Sequence, residues 1–376
     1  MPRRRIERAD IAVGTPLPWD VYEAKGVLLL RQGAVVATER QLEKLIAFGL
    51  FIDADVTRAH DESAQAPPER SPLALILEAR RQLEAACVLR SPGDELPAQV
   101  WRIAGLLREA CSVNPDVALA AIMLQRDAPY SVRHAVDSAT ACHVVGAALG
   151  MSAVDAVAAT SAALTMNLSM MALRDALQYQ QAPLSDDQRR SVHEHPQRSA
   201  QMLIACGVED AGWIEAVRHH HEVIDGSGYP ARKRGADIPY LAQIVALADV
   251  YCARVSGRAY RPALDSRIAL RRIFLDEGVP VDRELAGQFI RVLGVYPPGA
   301  VVRLNNGDIA VVIQRGESGT TPRVGSVIGP GGLRMVTPIR RDTSEPAYAI
   351  RDSLPRDALG ESVNMRALWG KDAALD

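Results

Sequence analysis

The chain has 376 residues, 48% hydrophobic and 23% charged, with a formal net charge of −2. That length suits two or three globular domains, and the balance of charge argues against a broad basic face that holds DNA or RNA by counterion release. A small anionic ligand held by a few local arginines stays open. Cys87, Cys111, Cys142, Cys206 and Cys252 form no CxxC pair, which fits reduced thiols in a cytosol better than a disulfide framework. Met1-Pro2-Arg3-Arg4-Arg5 is basic but has no apolar signal core behind it. The most apolar long stretch, Ala153–Leu173, carries Asp155 and many small polar residues and reads as a buried helix, not a membrane span. The expected location is the cytoplasm.

In chain order, residues 1–58 read as a small N-terminal accessory unit of α/β type. Val27–Leu30, bounded by Gly26 and Gly33, suits a strand, and Thr38 with Gln41 has the form of a capping box for a helix ending near Gly49. Residues 59–72, polar and rich in proline, read as a linker. From there to about Leu293 apolar residues recur at helical spacing. The predicted helices are Leu73–Leu89, Gln99–Cys111, Asp116–Gln125, Val132–Leu149, Ala153–Leu173, Asp186–Cys206, Gly212–His221, Pro239–Ser256, Ser266–Leu275 and Asp282–Val292. Residues 73–131 form a helical lead-in. Ala300–Leu304 and Ile309–Gln314 flank Asn305-Asn306-Gly307-Asp308, a hairpin signal, so 295–350 is expected to be a β-rich appendage. Residues 351–376 read as a poorly ordered tail.

Seven of the eight histidines lie between His134 and His221. A lone histidine is at least as often a satisfied structural residue as a ligand, but here the order of the residues is informative. His220-His221-Glu222 precedes Asp225-Gly226-Ser227-Gly228-Tyr229-Pro230. This run resembles the HHExxDGxGYP motif of the HD-GYP family, within the HD superfamily of metal-dependent phosphohydrolases. His134, His195 before Pro196, Asp249, and Arg258 with Arg261 follow in the family's order, so the resemblance covers roughly 132–294. It implies a mainly α protein: an HD-type helical bundle between the N-terminal α/β unit and the β-rich C-terminal appendage.

The family implies two or three iron or manganese ions held by histidines and aspartates, and cyclic di-GMP as the usual substrate. It assigns His134, His195, His220, His221 and Asp249 to metal. Arg258, Arg261 and Tyr229 would contact substrate, and Asp225, Gly226, Gly228 and Pro230 would shape the loop. Arg258 and Arg261 also have a bland reading, a solvated basic surface, and Asp225 has the alternative of orienting a histidine, with loop architecture the preferred role. His193 and His219 read as solvent-facing neighbours. Gly226-Ser227-Gly228 is not a nucleophile elbow, since GxSxG is absent.

The departure is at the HD motif itself. Alignment by the flanking apolar residues puts Met166 on its histidine and Asn167 on its bridging aspartate, while Ser169 and Met170 replace the following glycine and lysine. A thioether is a poor ligand for these metals beside hard oxygens, and a neutral carboxamide does not readily bridge two cations. Tyr130 stands where some members carry an additional glutamate, so a trinuclear site is not expected. No catalytic residue is assigned. The cofactor expectation is one iron, manganese or zinc ion at a three-histidine half-site, or no metal. Three functions remain: a binder of cyclic di-GMP, a related nucleotide or a signalling protein, with impaired hydrolysis; a slow metal-dependent phosphodiesterase; or an interaction scaffold.

Overall fold

The computed structural model describes residues 3–6, 8–11, 13–17, 19–22, 27–47, 51–53, 70–88, 95–257, 263–275, 281–316, 319–360 and 363–375. They fall into two units, Met1–Glu69 and Arg70–Asp376. In the first, strands β1 (Arg3–Arg5), β2 (Val21–Tyr22), β3 (Leu28–Leu30) and β4 (Phe51–Asp53) form an antiparallel sheet of order β1-β4-β2-β3. Helix α1 (Glu39–Ala47) opens with the predicted capping box. Gln41 N donates to Thr38 Oγ1 at 3.3 Å, and Gln41 Oε1 accepts from Ala37 N and Thr38 N at 2.9 and 3.2 Å. Ile6, Ile11, Leu17, Trp19, Val21, Val36 and Leu42 make its core. The expected helix end near Gly49 and most of the linker at 59–72 lie outside the described residues.

The second unit is a helical bundle joined to a sheet. Its helices are α2 (Pro72–Val88), α3 (Leu96–Val113), α4 (Pro115–Leu124), α5 (Tyr130–Ala148), α6 (Ala153–Thr165), α7 (Met171–Leu177), α8 (Asp186–Ala205), α9 (Ala211–His219), α10 (Tyr240–Val255), α11 (Ser266–Phe274) and α12 (Arg283–Leu293). Side-chain caps mark many starts. Asn114, Ser152, Ser185, Asp210, Asp265 and Asp282 each accept a backbone N–H in the first turn of α4, α6, α8, α9, α11 and α12. Each such cap contributes about 1 kcal/mol. Helix α4 is apolar all round, and every residue from Val117 to Leu124 is buried, as expected for a helix enclosed by others.

Two expectations need correction. Ala153–Leu173 is not one helix: α6 stops at Thr165, a 3-10 turn spans Leu168–Met170, and α7 begins at Met171. Ser169 provides a reason. Its backbone N–H donates to Ser199 Oγ at 3.1 Å and its hydroxyl to the His195 carbonyl at 3.2 Å, so α8 takes groups that a continuous helix would use. Of the apolar window within Ala153–Leu177, 61% is buried inside the protein.

The second correction concerns residues 351–376, which carry a strand and helical turns where a loose tail was expected. Strands β5 (Val301–Leu304), β6 (Ile309–Gln314), β7 (Arg323–Ile328), β8 (Arg334–Asp342) and β9 (Ile350–Leu354) form an antiparallel sheet of order β8-β7-β6-β5-β9. The predicted hairpin is β5–β6. Beyond β9, helix α13 (Met365–Trp369) and flanking turns bury Leu359, Met365, Leu368 and Ala373. Trp369 Nε1 donates to the Ile313 carbonyl at 2.8 Å. These apolar residues are too widely and irregularly spaced to show a period, which is why they read as a tail.

Sheet and bundle share one hydrophobic core. Gly299, at φ +87°, sits against α4, where a Cβ would come within 2.9 Å of Ala120 Cα. All five cysteines are free thiols, and four of them are buried.

Candidate metal centre

Helix α8 carries a proline inside it, Pro196. Proline has no N–H, so the Val192 carbonyl four residues earlier lacks its helical donor. The ring of His195 supplies one: Nδ1 lies 2.5 Å from Val192 O. A carbonyl only accepts, so Nδ1 carries the proton and Nε2 presents its lone pair to the interior. His220 repeats the arrangement at the C-terminal end of α9, where carbonyls are left over, with Nδ1 2.7 Å from Val217 O.

The two Nε2 atoms then face each other at 3.1 Å. Two lone pairs at that distance repel unless a cation lies between them. His221 completes the group, and the ligand atoms of His195, His220 and His221 all fall within 4.8 Å of one another. Burial, then the neighbouring His220, pushes His195 down to about 3. Burial also lowers His220, and burial with His220 holds His221 well below its ordinary value. Neutral imidazoles with convergent lone pairs fit a metal ion.

The loop after α9 braces this group. Tyr229 is stacked on His221 with centroids 4.8 Å apart, and His193 on Tyr229 at 4.6 Å. Glu222, buried, accepts from Ala231 N at 2.6 Å and Lys233 N at 2.9 Å and so ties the loop back on itself. Gly228 has no room for a side chain: a Cβ would lie 2.5 Å from the His221 carbonyl oxygen. Asp225 accepts from Ser227 N and Oγ at 2.8 and 2.7 Å, a local Asx turn. The Tyr229–Pro230 peptide is cis.

The other half of the site is built differently. His134 on α5 and Asp249 on α10 bond each other, Nε2 to Oδ1, at 2.6 Å. Burial alone would raise Asp249, but the His134 bond, the His134 charge and Arg174 hold it well below the usual carboxylate range. Met166 is 0% exposed and belongs to the hydrophobic core. Asn167 is 5% exposed, and neither its Oδ1 nor its Nδ2 has a partner among the described residues. The three-histidine half thus fits a metal ion.

Of the sequence-predicted residues, the structure gathers His195, His220 and His221 in one cluster and pairs His134 with Asp249. Tyr229 stands against the cluster. Arg258 and Arg261 lie outside the described residues. His193 is exposed as read, but His219 is buried, with Nε2 3.1 Å from Glu215 Oε2, because it packs on the inner side of α9. Sequence reasoning passed over Glu222, although it stands inside the motif. It also missed Arg174, four residues beyond Met170 and therefore one helical turn away, which was the available signal.

The model of the HD domain matches residues 119–285, a span holding every one of these groups. Residues 119–285 are an HD domain. The cyclic di-GMP phosphodiesterase PA4108 of Pseudomonas aeruginosa is 32% identical over 234 residues, 61% of this chain and 53% of the relative. The cyclic di-GMP phosphodiesterase response regulator RpfG of Xanthomonas campestris pv. campestris is 30% identical over 154 residues, 40% of each chain. The chain thus spans about half or less of the length of these curated relatives. The fold is shared with Bd1817, an HDG"Y"P protein from Bdellovibrio bacteriovorus. It has 16% identity, a TM-score of 0.51, and coverage of 77% of this chain and 98% of that one. The HD domain family is metal-dependent, and among the described residues His195, His220 and His221 form a cluster that could hold an ion.

Proposed function

We propose that this HD-GYP protein is a cytoplasmic signalling regulator that holds one iron, manganese or zinc ion on His195, His220 and His221. Beside it the protein binds a nucleotide of the cyclic di-GMP class, with ordinary two-metal hydrolysis lost. The observation that carries the reading is the asymmetry of the site. Three neutral imidazoles converge in one half, while a buried thioether and an unpartnered carboxamide replace the metal-binding pair in the other. A bound ion would supply positive charge and Lewis acidity toward a phosphate oxygen. The chain's own contributions are the fixed tautomers of His195 and His220, and the Tyr229 face beside His221. Arg258 and Arg261 are further candidates for phosphate contacts. A second reading, slow hydrolysis with a single ion, is favoured by the survival of all three imidazoles, since three protein ligands leave coordination positions open.

The test is anaerobic incubation with cyclic di-GMP and iron(II) or manganese, followed by chromatography, metal analysis and a binding titration, with His220→Ala alongside. The expected parent carries about one ion per chain, binds the nucleotide and returns it intact; the variant loses the ion. Linear dinucleotide or GMP from the parent but not from His220→Ala would replace the regulator by the slow enzyme. Absence of both metal and nucleotide binding would favour a scaffold.

A further inference from the structure

Arg174 is a buried cation that makes no hydrogen bond to the histidines or Asp249 of the centre. It lies on α7, 8% exposed. The helix is held by its next residue: Asp175 accepts from Ser131 N and Ser131 Oγ, both at 2.7 Å, at the start of α5. That clamp leaves Arg174 turned inward beside Tyr130. Its Nη2 is 3.5 Å from Tyr130 Oη, and its guanidinium carbon is 5.5 Å from the Tyr130 ring centre. The Tyr130 ring is in turn 5.6 Å from that of His134.

No carboxylate of a described residue pairs with the guanidinium, and Nε donates to nothing among them. A buried guanidinium is ordinarily balanced by an anion it can touch. The Asn167 carboxamide is likewise buried without partners, so two sets of polar atoms in this half await a ligand.

We infer that Arg174 is the phosphate-binding cation of this site, standing in from one helical turn away for the positive charge that Met170 cannot provide. The ligand class is a phosphate monoester or diester whose oxygens meet the free edge of the guanidinium in charge-assisted bonds. For a cyclic dinucleotide this rests on the nucleotide reading above; for inorganic phosphate it does not.

The full chain, loaded with manganese, would be titrated with inorganic phosphate and separately with cyclic di-GMP. Arg174→Gln and Arg174→Lys would be run beside the parent, and metal content measured in each sample. Arg174→Gln is expected to weaken both anions about 10- to 100-fold while the three-histidine ion stays bound. Arg174→Lys, which keeps the charge, should recover part of the loss. Should Arg174→Gln not fold, the Arg174 Nε–H resonance in the parent, assigned by its absence from the lysine variant, is expected to move on adding phosphate. Unchanged nucleotide affinity in Arg174→Gln, or a resonance unmoved at saturating anion, overturns the role of Arg174 and leaves the nucleotide reading standing. Phosphate binding through Arg174 without nucleotide binding upholds Arg174 and removes the nucleotide. A parent that binds neither anion overturns both.

Discussion

The two halves of the centre satisfy their polar atoms in opposite ways. In the His134–Asp249 half the ionisable groups answer each other across 2.6 Å, and Met166 lies in the hydrophobic core. In the His195–His220–His221 half the outer ring nitrogens of His195 and His220 are spoken for by backbone carbonyls, so the inner ones have only each other. His134 and Asp249 answer each other; the three imidazoles ask for a cation. Each half is held by a different pair of helices, α5 and α10 for His134 and Asp249, α8 and the end of α9 for the histidines.

The strongest way to break this contrast is to rebuild the His134–Asp249 half. Met166→His with Asn167→Asp is expected to cost about 2–4 kcal/mol in urea unfolding without metal. Added manganese should restore part of that, with the metal content rising above that of the parent. An unchanged midpoint and unchanged metal content would mean that the two halves differ less than their burial suggests.

A smaller effect is expected from Gly228→Ala. The added methyl group meets the His221 carbonyl, so the loop must shift, at about 1–3 kcal/mol in thermal unfolding. Histidine ring NMR signals should change at His221 before they change at His134.

The finest test is Pro196→Ala. Restoring the N–H gives Val192 O its helical donor and frees His195 Nδ1 from its fixed tautomer. Metal affinity, read by competition with a chelator, should fall about tenfold while the melting temperature holds or rises. Equal affinity would show that the tautomer is set by something other than the proline.

Much of this was legible in the sequence. The helical period, the capping box at Thr38 and Gln41, and the run from His220 to Pro230 each carry a local rule, so bundle and loop could be read from the sequence. What stayed hidden depends on contacts between distant segments. Ser169 looks like one more helical residue until Ser199 and the His195 carbonyl lie beside it. Arg174 is not legible as a buried charge, because only the Asp175–Ser131 clamp turns it inward. The residues after Ile350 have no period of their own and acquire order from the sheet and α4 that they cover.

That last segment has a consequence for how the second unit comes apart. Strand β9 borders β5, and Asn114, the cap of α4, donates to Asp372 Oδ2 at 2.8 Å. The chain end thus acts as a clasp across the earliest helices of the bundle. With one core running through helices and sheet, residues 70–376 should melt as a single cooperative block. A nick near residue 350 would loosen the start of the bundle, far away in sequence, as readily as the sheet beside it.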